Sequence, residues 1–162
     1  MMDKQMKELR DYAWSYFVVH ADQRMKTFNF YLVVATLIGG VVVTVAKDTE
    51  NVAAAGILSL LLPFLSFVFY KLDQRTVCLI KLAEAAMKLI ENKSDLNDQE
   101  GLAHPLKLFL HEEQTTEIYK AKSVAFWWER PWSYSECFKT VFMTLGTAGL
   151  LAAIFLVCIG IR

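Results

Sequence analysis

The sequence predicts an all-α integral membrane protein, with an N-terminal amphipathic helix, a transmembrane hairpin, cytosolic helices and a third transmembrane helix. Three observations carry that prediction. Three apolar blocks, residues 28–46, 52–70 and 140–161, contain no charged residue. The chain is 55% hydrophobic, whereas soluble domains are about 45–50% apolar. The charged stretches between the blocks repeat their apolar residues at helical spacing and do not alternate as strands do. The domains expected are residues 1–27, a cytosolic or interfacial helix; 28–70, the hairpin; 71–136, a cytosolic helical region; and 137–162, the third span.

Residues 3–27 contain neither proline nor glycine, and Tyr12, Tyr16, Val19 and Gln23 fall on one helical face. Aromatic residues on such a face suit a membrane surface or a neighbouring subunit. The first block has 19 residues, just enough at 1.5 Å per residue to cross a hydrocarbon core of about 30 Å. It contains Gly39 and Gly40, which are tolerated in membrane helices and allow close approach. The polar turn KDTEN, residues 47–51, leads into the second block, where Pro63 is expected to kink the helix. No small-residue cleavage site follows the first block, so a signal peptide is not expected.

The tripeptide Asp-Gln-Arg occurs twice, as Asp22-Gln23-Arg24 before the hairpin and Asp73-Gln74-Arg75 after it. A hairpin puts both on one side of the membrane. Two readings are open: mutual pairs, Asp22 with Arg75 and Asp73 with Arg24, locking the hairpin roots, or independent headgroup anchors. Residues 71–92 continue as an amphipathic helix. Residues 93–105 read as a loop and 106–125 as a further helix. Residues 126–136 carry Trp127, Trp128, Trp132 and Tyr134, the composition of an aromatic belt at a membrane interface. The third block has 22 residues and two small-xxx-small pairs, Gly149 with Ala153 and Ala148 with Ala152. These serve either self-association or contact with the hairpin.

Basic residues set the expected orientation. Residues 1–27 hold five Lys or Arg and residues 71–139 hold ten, against one in the 47–51 turn and Arg162 at the C-terminus. By the positive-inside rule the N-terminus and the middle segment are cytosolic and the C-terminus lies outside.

The sequence offers no catalytic, cofactor or metal site. His20, His104 and His111 lack metal-ligand spacing, and HExxH, GxSxG, P-loop and GxGxxG patterns are missing. His111-Glu112-Glu113 reads as a solvated helix face, with a lipid-facing enzyme site as a weaker option. The net charge of zero argues against direct nucleic-acid binding. Cys78, Cys137 and Cys158 are expected to be small buried hydrophobes. No charge lies within a span, which argues against ion-coupled transport. Asn29, Thr36, Thr44, Ser59, Ser66, Thr144 and Thr147 can each satisfy themselves on their own helix backbone. Three short helices cannot enclose an aqueous path, so a pore requires a symmetric homo-oligomer.

The run H-A-x-Q-R-M-x-T-F-N-F, His20 to Phe30, followed by a hairpin, by L-D-x-R at Leu72 to Arg75, and by LIKLAEAAMKLIE at 79–91, resembles small bacterial membrane proteins associated with defence. The layout is similar to SLATT-type effectors, which pair a membrane hairpin with cytosolic helices and sit beside nucleotide-signalling defence genes. It is also similar to the octameric accessory membrane protein of RNA-targeting CRISPR systems. The resemblance covers roughly residues 8–92, and the third span departs from the two-span pattern. It implies an antiviral effector, CRISPR-associated or related, that forms pores in or disrupts the bacterial inner membrane on a signal from a cytosolic defence protein. The alternative is a non-conducting membrane anchor that recruits a cytosolic partner through residues 71–125.

Overall fold

A computed structural model describes residues 4–48, 51–93, 108–112 and 132–160. The described residues are helical apart from short turns and caps, with no strand among them. The helices are α1 (Lys4–Ala46), α2 (Val52–Ser59), α3 (Leu61–Lys93) and α4 (Tyr134–Gly160), with one further helical turn over 108–112. Three are long and apolar enough to cross a membrane: α1, the α2–α3 run and α4.

Helix α1 is continuous over 43 residues, through the boundary expected near residue 27. Nothing between Thr27 and Phe28 can stop it, since the nearest glycines are Gly39 and Gly40. The kink expected at Pro63 takes the form of a break three residues earlier. Proline clashes with the carbonyl of residue i−4, which here is Ser59, and α2 ends at Ser59. Leu60 donates to the Ile57 carbonyl at 3.1 Å in a tightened turn before α3 begins.

Helix α4 begins at a reciprocal cap. The Ser133 N–H donates to the Glu136 carboxylate at 2.9 Å, and the Glu136 N–H donates to Ser133 Oγ at 3.2 Å. This is the S-x-x-E capping box, which satisfies two backbone donors that the helix leaves open.

The chain divides into two compact units, Met1–Asp22 with Val77–Trp132, and Gln23–Thr76 with Ser133–Arg162. In the first, Ala13, Ala83 and Met87 are buried. Trp14 stacks on Phe17 at 5.7 Å, and Phe17 meets Phe109 edge-on at 5.7 Å. Glu91 accepts hydrogen bonds from the N–H groups of Phe109 (3.3 Å) and Leu110 (3.1 Å), fixing the 108–112 turn to α3. An apolar groove of about 520 Å³ remains open between Met6, Leu9 and Tyr12 on α1 and Leu82, Ala86 and Leu89 on α3.

The second unit is built on an aromatic core of Tyr31, Ala35, Phe69, Phe138 and Phe142. Phe28 stacks face to face on Phe138 at 3.8 Å, and Tyr31 meets Phe142 at 4.8 Å. Tyr31 is fully buried, and its hydroxyl lies 2.7 Å from Ser66 Oγ. Ser66 itself donates to the Leu62 carbonyl at 2.7 Å, so Tyr31 is the donor in a relay that ends on the backbone. Ser66→Ala should therefore cost more than Tyr31→Phe. The first strands a buried donor, at about 1–3 kcal/mol; the second removes a donor but leaves Ser66 bonded, at about 0.5–1.5 kcal/mol. Thermal unfolding in mild detergent ranks the two, and equal midpoints would remove the relay.

The three cysteines correct an expectation. Cys78, Cys137 and Cys158 are free and exposed, not buried. They are few, fit no metal spacing, and Cys158 lies in an apolar run, which suggests a core position, but each falls on a helix face that the described residues leave uncovered.

Candidate functional site

The hairpin roots carry the polar cluster with the tightest geometry. Arg24 on α1 donates through Nε to Asp73 Oδ1 at 2.6 Å and through Nη2 to Asp73 Oδ2 at 3.2 Å. The same Nη2 donates to Ser135 Oγ on α4 at 3.1 Å. The guanidinium carbon sits 4.8 Å over the Phe138 ring, which Phe28 backs from its other face. The two side chains are only 12% and 10% exposed. A forked, nearly buried pair with a third acceptor and an aromatic face is the arrangement for which arginine is suited and lysine is not. One side chain thus ties α1, α3 and α4 together.

Of the two pairs that a mutual lock would use, Asp73 with Arg24 is made in this way. Asp22 and Arg75 are exposed, and Asp22 belongs to the first unit. Ser135 and the Phe28–Phe138 stack escaped sequence reasoning. The only signal for them was the capping box, which fixes Ser135 on the first turn of α4.

Above the roots, α4 packs on α2 and α3 through glycine. A Cβ on Gly149 would stand 2.6 Å from Leu62 Cβ and 2.9 Å from Pro63 Cδ. One on Gly146 would stand 3.1 Å from Ser66 Cβ, and one on Gly56 would stand 2.7 Å from Val157 Cγ2. Gly149 and Ala153 are buried, Ala152 is half-buried and Ala148 is exposed, so the first small pair faces the hairpin. Among the described residues, Gly39 and Gly40 have nothing within 4 Å of a would-be Cβ. Trp132 and Tyr134 are exposed at the start of α4; Trp127 and Trp128 lie outside the described residues.

The hydroxyls in the apolar helices turn back on their own backbones. Thr36 donates to Leu32 O, Thr44 to Gly40 O, Ser59 to Gly56 O, Thr144 to Val141 O and Thr147 to Met143 O, all within 2.7–3.1 Å. Asn29 is exposed near the α1 root. Among the described residues no three His, Cys, Asp or Glu side chains gather to hold a metal. His111 and Glu112 lie on the 108–112 turn, and Glu113 is outside the described residues.

The chain is 30% identical over 154 residues to CD-NTase-associated protein 19 of Escherichia coli, an alignment spanning 94% of this chain and 93% of that protein. The chain belongs to this family. No family model matches it, and no solved structure matches it. Membership places the chain with defence-associated proteins. The finer resemblances, to SLATT-type effectors and to CRISPR accessory proteins, gain nothing from a relative whose name ties it to a CD-NTase.

Proposed function

We propose that this protein is a non-enzymatic membrane effector of bacterial antiviral defence that assembles as a homo-oligomer and permeabilises the inner membrane. In this reading the N-terminus and the first unit lie in the cytosol, the C-terminus lies outside, and a cytosolic defence protein supplies the signal. The observation that carries the reading is the surface of the second unit. Its outward side chains include Phe30, Val33, Leu37, Val41, Phe64, Phe67, Leu151 and Phe155, and its serine and threonine hydroxyls are spent on their own helices. Such a surface suits lipid, because the serine and threonine hydroxyls within the apolar length have partners inside the protein. The buried charges, Arg24 and Asp73, sit at the hairpin roots at headgroup level. Gly39 and Gly40 support assembly: glycine weakens a helix, and no contact among the described residues accounts for it. The name of the relative supports the defence context.

The test is dye release from sealed phospholipid vesicles carrying the full chain at increasing density. Release should rise more steeply than in proportion to protein, as it must if several copies build one path. Vesicles that stay tight at every density, with no ring in particle images, would overturn the pore. They would favour a second reading that the open groove between α1 and α3 supports, a non-conducting anchor whose first unit recruits a cytosolic partner.

A further inference from the structure

We infer that the cleft between α3 and α4 is a binding site for one anionic phospholipid of the cytosolic leaflet, its acyl chain in the groove and its phosphate on Lys71 and Lys139. The inference rests on the proposed membrane location. The cleft has a volume of about 400 Å³ and an apolar wall, with Pro63, Phe67 and Tyr70 contributed by α3 and Phe142, Gly146 and Leu150 by α4. The two helices come close at Gly146, where an added Cβ would stand 3.1 Å from Ser66 Cβ, and both residues line the cleft. Pro63 to Lys71, and Leu150 to Phe142, each span eight residues, or about 12 Å along the helix axis. That length holds the upper part of one acyl chain.

The mouth of the cleft is cationic and polar. Lys71 lines it, 5.8 Å from the Phe67 ring, with a long 3.4 Å hydrogen bond to Gln74 Oε1. Gln74 in turn donates to the Tyr70 hydroxyl at 2.8 Å. On the other wall, Lys139 lies three residues before Phe142 and four before Met143, both lining residues. That spacing puts it one turn above them on the same face. Both lysines are exposed, and among the described residues neither has a carboxylate partner. The acidic neighbours are engaged elsewhere, Asp73 by Arg24 and Glu136 by the Ser133 N–H. Two uncompensated ammonium groups over an apolar furrow complement a phosphodiester above a hydrocarbon chain. Basic pockets between membrane helices on the cytoplasmic side recognise lipid headgroups on this principle.

The experiment reconstitutes the full chain in vesicles of equal parts phosphatidylcholine and phosphatidylglycerol, confirms flotation, and extracts it in mild detergent for native mass spectrometry. The parent should retain phosphatidylglycerol over phosphatidylcholine by about thirtyfold, as two lysines near a membrane surface would give. Lys71→Gln with Lys139→Gln should abolish that preference. Thr147→Trp, at an exposed position on the cleft wall, should fill the furrow and remove retained lipid of both kinds with the lysines intact; Met143→Trp serves if that variant does not fold. Equal retention of the two lipids by the parent, or a preference unchanged in the lysine variant, would overturn the site. Phosphatidylglycerol kept by both tryptophan variants would mean loose attraction to surface lysines. No retained lipid, with an oligomer that Thr147→Trp disperses, would give the cleft to a second copy. Failure to float would overturn the membrane reading and the site together, whereas flotation without lipid preference would remove the site alone.

Discussion

Arg24→Ala should be the most damaging single substitution at the hairpin roots, destabilising the second unit by about 3–5 kcal/mol. The cost comes less from the lost attraction than from what remains. Asp73 is 10% exposed on its side chain, both of its carboxylate oxygens accept from Arg24, and its short stem gives it little access to water. Asp73→Ala should be milder. The arginine keeps Ser135 and the Phe138 face, and its long stem can turn toward headgroups or solvent. Replacing both, Arg24→Leu with Asp73→Leu, should cost less than Arg24→Ala alone, because no orphaned charge is left. Arg24→Lys should not rescue, since an ammonium cannot bind both carboxylate oxygens and Ser135 in one plane. Exposed Arg75→Ala is expected to stay within about 0.5 kcal/mol of the parent. Thermal unfolding in detergent orders the series. Arg24→Ala melting with Arg75→Ala would show that the repeated tripeptides act only as headgroup anchors.

The helices were legible because their signals are local. Charge-free runs, helical spacing in 71–92 and the proline in the second block are read from neighbours along the chain. The pairing of Arg24 with Asp73 was legible for a related reason. A hairpin brings its two roots together whatever the packing, and opposite charges at the roots then have a partner in reach. The third strut, Ser135, was not legible, because the approach of α4 to the roots depends on tertiary packing that no periodicity encodes. The continuity of α1 was missed because a change from amphipathic to wholly apolar looks like a boundary, although composition alone does not stop a helix. The cysteines show the opposite limit. Their residue type suggested burial, but a cysteine is small and apolar enough to sit on an uncovered helix face as readily as in a core, and its neighbours along the chain do not separate the two.

The glycines divide in a way that only the structure reveals, and the division predicts opposite results for the same substitution. Gly149→Ala should destabilise by about 1–3 kcal/mol, as overpacking does, even though alanine is the better helix former by about 1 kcal/mol. The added methyl meets Leu62 Cβ at 2.6 Å and Pro63 Cδ at 2.9 Å. Neither atom can swing away, since one is fixed to the backbone and the other is locked in a ring. Gly149→Leu should separate α4 from the hairpin altogether. Gly39→Ala and Gly40→Ala meet nothing within 4 Å, so the helix preference acts alone and the fold should hold or gain. Gly40→Leu is the decisive companion. If that face of α1 meets a second copy, the variant should melt like the parent yet lose steep dye release. If it meets only lipid, release should be unchanged, and the assembly contacts must be sought on another face. Equal melting of Gly149→Ala and Gly40→Ala would mean that α4 does not pack on the hairpin as described.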